Sequence, residues 1–145
     1  MKKVPLALLK EHGALLVTNV QDAMEQHPHE ILSRTPEEYL QWLRKLALKS
    51  WETGCFADFY FGRLTGEEQA AVLSWLPAGS REYVLSLDAG PDDLYYQLDG
   101  PDDPGLAILA DLSARELLFS TFYFTRPVCT VWGNYGLKYP VFYGR

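Results

Sequence analysis

Residues 119–145 read FSTFYFTRPVCTVWGNYGLKYPVFYGR, and they hold nine of the chain's twenty aromatic residues: Phe119, Phe122, Tyr123, Phe124, Trp132, Tyr135, Tyr139, Phe142 and Tyr143. Helix-favouring residues are almost missing from this run, whereas aromatic and β-branched side chains suit a pleated surface. Pro127 and the segment Gly133-Asn134-Tyr135-Gly136 punctuate it, predicting strands near 119–125, 128–132 and 138–143. Pro140 lies inside the last of these, which predicts an edge strand, because proline cannot donate to a ladder. Phe122 and Phe124 fall on one face and Phe119, Tyr123 and Thr125 on the other. Rings on both faces imply either cover on both sides or a second face that binds something.

The span immediately before it is its electrostatic opposite. From Glu82 to Ala114 there are seven aspartates and one glutamate and no lysine or arginine, so this segment carries −8 of a net charge of −6 and leaves the remainder at +2. Nucleic acid is an improbable ligand for such a face, since phosphate binding needs clustered Lys and Arg; a basic protein surface fits it. Tyr83, Leu85 and Leu87 alternate with Val84 and Ser86, Gly90-Pro91-Asp92-Asp93 makes a turn, and Leu94, Tyr96 and Leu98 alternate again, predicting a β-hairpin. GPDD recurs at Gly100 to Asp103, and Leu106 to Ala110 reads as a further strand. Ser113-Ala114-Arg115-Glu116 matches a capping box and predicts one or two helical turns before the aromatic run.

Upstream, Thr35-Pro36-Glu37-Glu38 combines an N-cap, a proline at the first helical position and a glutamate that returns a hydrogen bond to the cap. A helix over 36–53 follows. Tyr39, Leu40, Trp42, Leu43, Leu46, Ala47 and Trp51 form its apolar face, with Leu48 out of place. Cys55 to Phe61 reads as a strand of mixed faces or an aromatic loop. Thr65-Gly66-Glu67-Glu68 is a second capping box, predicting a helix over 66–76 closed by Pro77, Gly79 and Ser80. In the first thirty residues, Val4 to Lys10 suits a short helix, Ala14 to Val20 suits strand or helix, and Asn19 with Asp22 signals a helix over Val20 to Gln26.

Composition is that of a globular protein, 48% apolar and 22% charged. At 145 residues it fits a single domain, 1–145. Two cysteines, Cys55 and Cys129, match no zinc spacing and read as small buried residues. The opening MKKVPLALLKEHG lacks the apolar length of a signal peptide, and no run reaches the length of a membrane span, so a cytoplasmic, soluble protein is expected.

Chemistry-bearing clusters are few. The two GPDD turns, separated by a strand, are too far apart to share one cation, and neither has EF-hand spacing; aspartate and proline in turns have a sufficient cause in turn chemistry. His27-Pro28-His29-Glu30 offers at most three metal ligands and reads as a polar loop. Trp132 to Tyr139 suits a stacking platform or a turn joining core strands. No nucleophile elbow, Walker loop, dinucleotide fingerprint or zinc-protease helix is found, and neither cofactor nor metal is expected.

The expected architecture is α+β, with N-terminal helices packed on a largely antiparallel sheet of five or six strands from the C-terminal half. In size and charge pattern the chain resembles bacterial immunity proteins, which neutralise a cognate toxin domain, often a basic nuclease, with acidic and aromatic side chains. That resemblance implies a non-enzymatic inhibitor. The expected contact surface is Asp88, Asp92, Asp93, Asp99, Asp102 and Asp103, with Tyr95 as the anchor. The alternatives are a small enzyme or ligand-binding protein with a cleft between helix 36–53 and the sheet, using Cys129, Asp58 or the HPHE segment, and a chaperone or adaptor for a secreted effector.

Overall fold

A computed structural model describes residues 1–144. In chain order the elements are β1 (Lys2–Val4), α1 (Leu6–Glu11), α2 (Val20–Gln26), β2 (His29–Ser33), α3 (Pro36–Ser50), β3 (Cys55–Asp58), α4 (Gly66–Ser74), α5 (Ala78–Ser86), β4 (Tyr95–Gln97), α6 (Pro104–Ala114), β5 (Phe122–Thr125), β6 (Val128–Val131) and β7 (Lys138–Tyr143). Short 3-10 turns occupy Phe61–Arg63 and Tyr135–Leu137. All seven strands join one sheet in the order β1-β4-β3-β5-β6-β7-β2, and every pairing is antiparallel. The fold is α+β, with seven strands in place of five or six, drawn from the whole chain.

The aromatic run supplies β5, β6 and β7 as two successive hairpins. The Arg126–Pro127 bond between β5 and β6 is cis. Contrary to expectation, β7 is internal, since β2 pairs along it and becomes the edge. Pro140 is tolerated there for a local reason. Its carbonyl accepts from Trp132 N–H at 2.9 Å, so its missing donor falls opposite Trp132, just beyond the last residue of β6. The HPHE segment is correspondingly half strand: His29 and Glu30 begin β2, and only Leu32 of that strand is buried.

Strand alternation divides the core in two. Cys55, Ala57, Tyr96, Phe122, Phe124, Cys129, Val131, Tyr139 and Val141 face α3 to α6 in the main cluster. Both capping boxes form as expected, at Thr35/Glu38 and Thr65/Glu68. Helix α3 packs on α6 and β5, and Tyr39 stacks flat on Tyr139 with ring centroids 3.7 Å apart. It ends at Ser50, which leaves Trp51 half exposed, whereas Leu48 stands in solvent as its position predicts.

Two expected strands are helices. Residues 78–86 form α5, because Tyr83, Val84 and Leu87 pack at helical spacing while Leu85, which an alternating pattern would bury with them, is 60% exposed. The expected hairpin therefore reduces to its second strand, β4. Leu106 to Ala110 lies in α6, whose seven buried positions out of eleven leave no amphipathic period to read. Asp103 caps it and Pro104 opens it, so Ser113 to Glu116 is its C-terminal end and not a new start.

The opposite face carries Phe56, Tyr123, Thr130 and Phe142, and the first thirty residues cover it. Leu6, Leu8 and Leu9 of α1 pack on Phe56 and Tyr123, and Val20, Ala23 and Met24 of α2 pack with Phe142. Asn19 caps α2 as expected. Between the helices residues 12–19 form an extended strap in place of the strand or helix suited to Ala14 to Val20, and the Thr130 hydroxyl, donating to the Leu15 carbonyl at 2.5 Å, ties it over β6. No helix among the described residues is long and apolar enough to cross a membrane.

Candidate functional site

The acidic turns flank β4, one before Tyr95 and one after Gln97. Strand β1 runs antiparallel to β4, and Lys3 within it and the Met1 amine just before it each meet one turn. Lys3 Nζ lies 3.1 Å from Asp93 Oδ2 and donates to the Asp88 carbonyl at 2.6 Å. The Gly90 N–H and then Lys3 hold the Asp93 carboxyl below its ordinary range. This turn also rests on the 3-10 turn at Phe61–Arg63, where Arg63 Nε donates to the Pro91 carbonyl at 3.0 Å. A side chain on Gly62 would overlap the Gly90 backbone, so only glycine allows that approach.

At the other turn Asp103 is buried. Oδ1 accepts from Gly105 N–H at 2.8 Å and from the Tyr83 hydroxyl at 3.0 Å, Oδ2 accepts from Asp99 N–H at 2.8 Å, and the Met1 amine stands 2.9 Å from Oδ2. Burial works against its charge, but the Asp99 N–H, the amine and the Gly105 N–H outweigh it and keep the carboxyl below its usual range. Of the expected contact residues, then, Asp93 and Asp103 have internal partners. Asp88, Asp92, Asp99 and Asp102 have exposed side chains, and the nearest cation to Asp99 is the Met1 amine at 3.9 Å. Tyr95 belongs elsewhere, in a cleft on the second face.

That cleft opens where α1 and the strap fail to meet. Leu6, Leu16, Val17 and Thr18 form its rim, and Asp58, Tyr60, Tyr95, Tyr123 and Trp132 its walls, enclosing about 200 Å³. A second hollow of about 270 Å³ adjoins it, sharing Asp58, Tyr60 and Trp132 and adding Phe119, Thr121 and Gly133. Register builds the wall: Asp58 stands directly opposite Tyr95, and Phe56, two residues back on the same face, stands opposite Tyr123. Gly133 keeps the second hollow open, since a Cβ there would press within 2.9 Å of the Phe119 Cβ.

Among the described residues Asp58 is the only formally charged side chain lining either hollow. It is 5% exposed, and Oδ1 accepts the Thr121 N–H at 2.8 Å. Burial pushes its carboxyl up to about 7, although hydrogen bonds from Thr121 and Tyr123 favour the ionised form. Burial, and then the Asp58 charge, raises Tyr60, Tyr95 and Tyr123 as well. A perturbed carboxyl in a concave aromatic site makes this cleft the candidate site. The site lies on the sheet face opposite α3, not between α3 and the sheet.

The other candidates have structural partners. Burial pushes Cys55 and Cys129 up to about 12, so their thiolates are scarce at neutral pH. His12 Nδ1–H donates to the Thr53 carbonyl at 2.7 Å, and His29 Nδ1–H to the His27 carbonyl at 3.0 Å. Glu30 accepts the Tyr143 hydroxyl at 2.7 Å. Among the described residues no three His, Cys, Asp or Glu side chains converge as a metal site would require. Trp132 and Gly133 line the cleft, and the rest of the Trp132 to Tyr139 segment turns the chain into β7. No family model, curated protein or solved structure matches the chain.

Proposed function

We propose that the chain is a non-enzymatic protein-binding module of the immunity or antitoxin type, which neutralises a basic toxin domain, such as a nuclease, through its acidic turns. The observation that carries this reading is the division of the carboxylates. Lys3 of β1 and the Met1 amine before it are directed to Asp93 and Asp103, while Asp88, Asp92, Asp99 and Asp102 stay exposed in the turns at the two ends of β4. Carboxylates spread over both ends of one strand raise encounter rates with a positively charged surface and reject acidic ones.

An apolar anchor is present beside it. Leu85 is 60% exposed on α5, three residues from both Glu82 and Asp88. An exposed apolar side chain within a charged rim is the usual anatomy of a protein interface.

The test replaces Asp88, Asp92, Asp99 and Asp102 with asparagine and leaves Asp93 and Asp103 intact. Association with the basic protein recovered from the native host at low salt is then measured across ionic strength. The on-rate should fall by about tenfold or more at low salt, and its salt dependence should flatten. An unchanged on-rate with an unchanged salt slope rules out the acidic turns as the contact surface.

A further inference from the structure

We infer that the cleft around Asp58 is a binding site for an organic ammonium ion, whether a free amine or the side chain of a lysine on another molecule. The inference does not depend on what the acidic turns bind. It follows from what the walls offer and what they lack. Tyr60, Tyr95, Tyr123 and Trp132 present π-systems, Phe119 extends them into the adjoining hollow, and one buried carboxylate stands among them. Ring faces carry negative potential and attract cations, more strongly where water is excluded, and a carboxylate adds a charge-assisted hydrogen bond.

The other ligand classes meet specific obstacles. An anion would find no lysine, arginine or histidine among the described residues of either hollow and would be repelled by Asp58. A neutral apolar molecule would remove water from the carboxylate and return no hydrogen bond. A hard metal ion needs several oxygen ligands, and Asp58 is the only carboxylate here. An ammonium head supplies the counter-charge that the neutral Thr121 and Tyr123 donors do not, and places its methylene stem against Leu6, Leu16 and Val17.

Binding should track the ionisation of Asp58. The groups facing it from β3 to β5 are Tyr60, Tyr95 and Tyr123, all raised and neutral at physiological pH. The overlying rim contributes Leu6, Leu16, Val17 and Thr18, none of which titrates. Lys10, Glu11 and Asp22 of the covering helices are exposed and outside both hollows, and His12 binds Thr53 near the far end of β3. Arg63, which influences Tyr60 and Tyr95, is exposed and holds the Pro91 carbonyl.

The experiment titrates the whole chain with n-butylammonium, following the Trp132 indole signal and the Asp58 carboxyl resonance by NMR. The expected result is saturable binding up to about 50 mM that lowers the Asp58 pKa and strengthens as pH rises from 5 to 8, while the amine stays protonated. n-Butanol, the neutral counterpart, should bind about tenfold more weakly or not at all. Asp58→Asn keeps the oxygen that accepts Thr121 N–H, so the fold is retained; its affinity should drop about tenfold and lose its pH dependence. An N-acetylated, C-amidated Gly-Lys-Gly peptide set against n-butylammonium distinguishes a protein side chain from a free amine, and saturable binding of either supports the site. Equal affinity for butanol and butylammonium, or a carboxyl resonance unmoved by every cation, overturns the inference, and both readouts use the wild-type protein.

Discussion

Asp103 and Asp58 are equally withdrawn from water, 6% and 5% exposed, yet their carboxyls move in opposite directions. Asp103 caps α6 and accepts from two backbone amides, a tyrosine and an amine. Asp58 accepts one backbone N–H, is favoured by the Thr121 and Tyr123 side chains, has no cation beside it, and lines a hollow. Burial opposes the charge of both, and most at Asp58, which lies deeper among protein atoms and has fewer donors to offset it. What separates the two carboxyls is the balance between desolvation and the donors that the fold aims at each. The acidic turns, which look like a binding surface in the sequence, contain the firmly held Asp103, and the segment that reads as a strand of mixed faces or an aromatic loop holds Asp58.

The contrast can be broken most forcefully at Asp103. Asp103→Ala removes the cap and leaves the Asp99 and Gly105 amides without their acceptor, so a loss of roughly 3 to 5 kcal/mol is expected in urea unfolding at pH 7. A loss below about 1 kcal/mol would mean that the network contributes little beyond an ordinary cap.

Asp58→Asn should do the reverse. Because the folded pKa is raised, the unfolded chain gives up its proton first. Stability from this group is full below about pH 4 and is lost as pH rises through about 7. Asparagine escapes that loss, so the variant should be more stable than wild type by roughly 2 to 4 kcal/mol at pH 8 to 9 and nearly equal to it at pH 4. Thermal unfolding across pH measures the divergence. Asp103, with a lowered pKa, runs the other way, its contribution present above about pH 4 and fading as the medium becomes more acid.

The smallest effect sharpens the comparison. Asp92→Asn with Asp102→Asn touches two exposed turn carboxylates and should change unfolding free energy by less than about 0.5 kcal/mol. If stability instead moved as it does for Asp103, these carboxylates would be structural too.

Local signals with complete chemistry were readable in the sequence. Thr35-Pro36 with Glu38, Thr65 with Glu68, Asn19 with Asp22, and the aromatic hairpins each became the expected element. The misread elements failed where a pattern had two physical meanings. Asp103-Pro104 is the same cap and opening proline as Thr35-Pro36, but the repeated GPDD turn concealed it, and α6 is apolar nearly all round. Tyr83, Leu85 and Leu87 alternate, yet only tertiary packing reveals that Leu85 faces solvent. Strands β1 and β2 contribute few buried residues and are strands because β4 and β7 offer them a ladder. The cleft was hidden for the same reason: alternation assigns Asp58, Tyr95 and Tyr123 to faces, but only register across β4, β3 and β5 brings those faces together.

The strand order also sets a timetable. Ser33 of β2 meets Lys138 of β7, so about a hundred residues must be closed into a loop before that edge exists. β3 and β4 likewise wait for β5 to join them to the rest of the sheet. As the chain emerges from the ribosome, all six helices are made before the sheet that seats them has its middle. Folding dominated by such distant pairings belongs to the millisecond-to-second range, and Phe56, Tyr96 and Leu32 remain exposed to other nascent chains until β5 to β7 arrive.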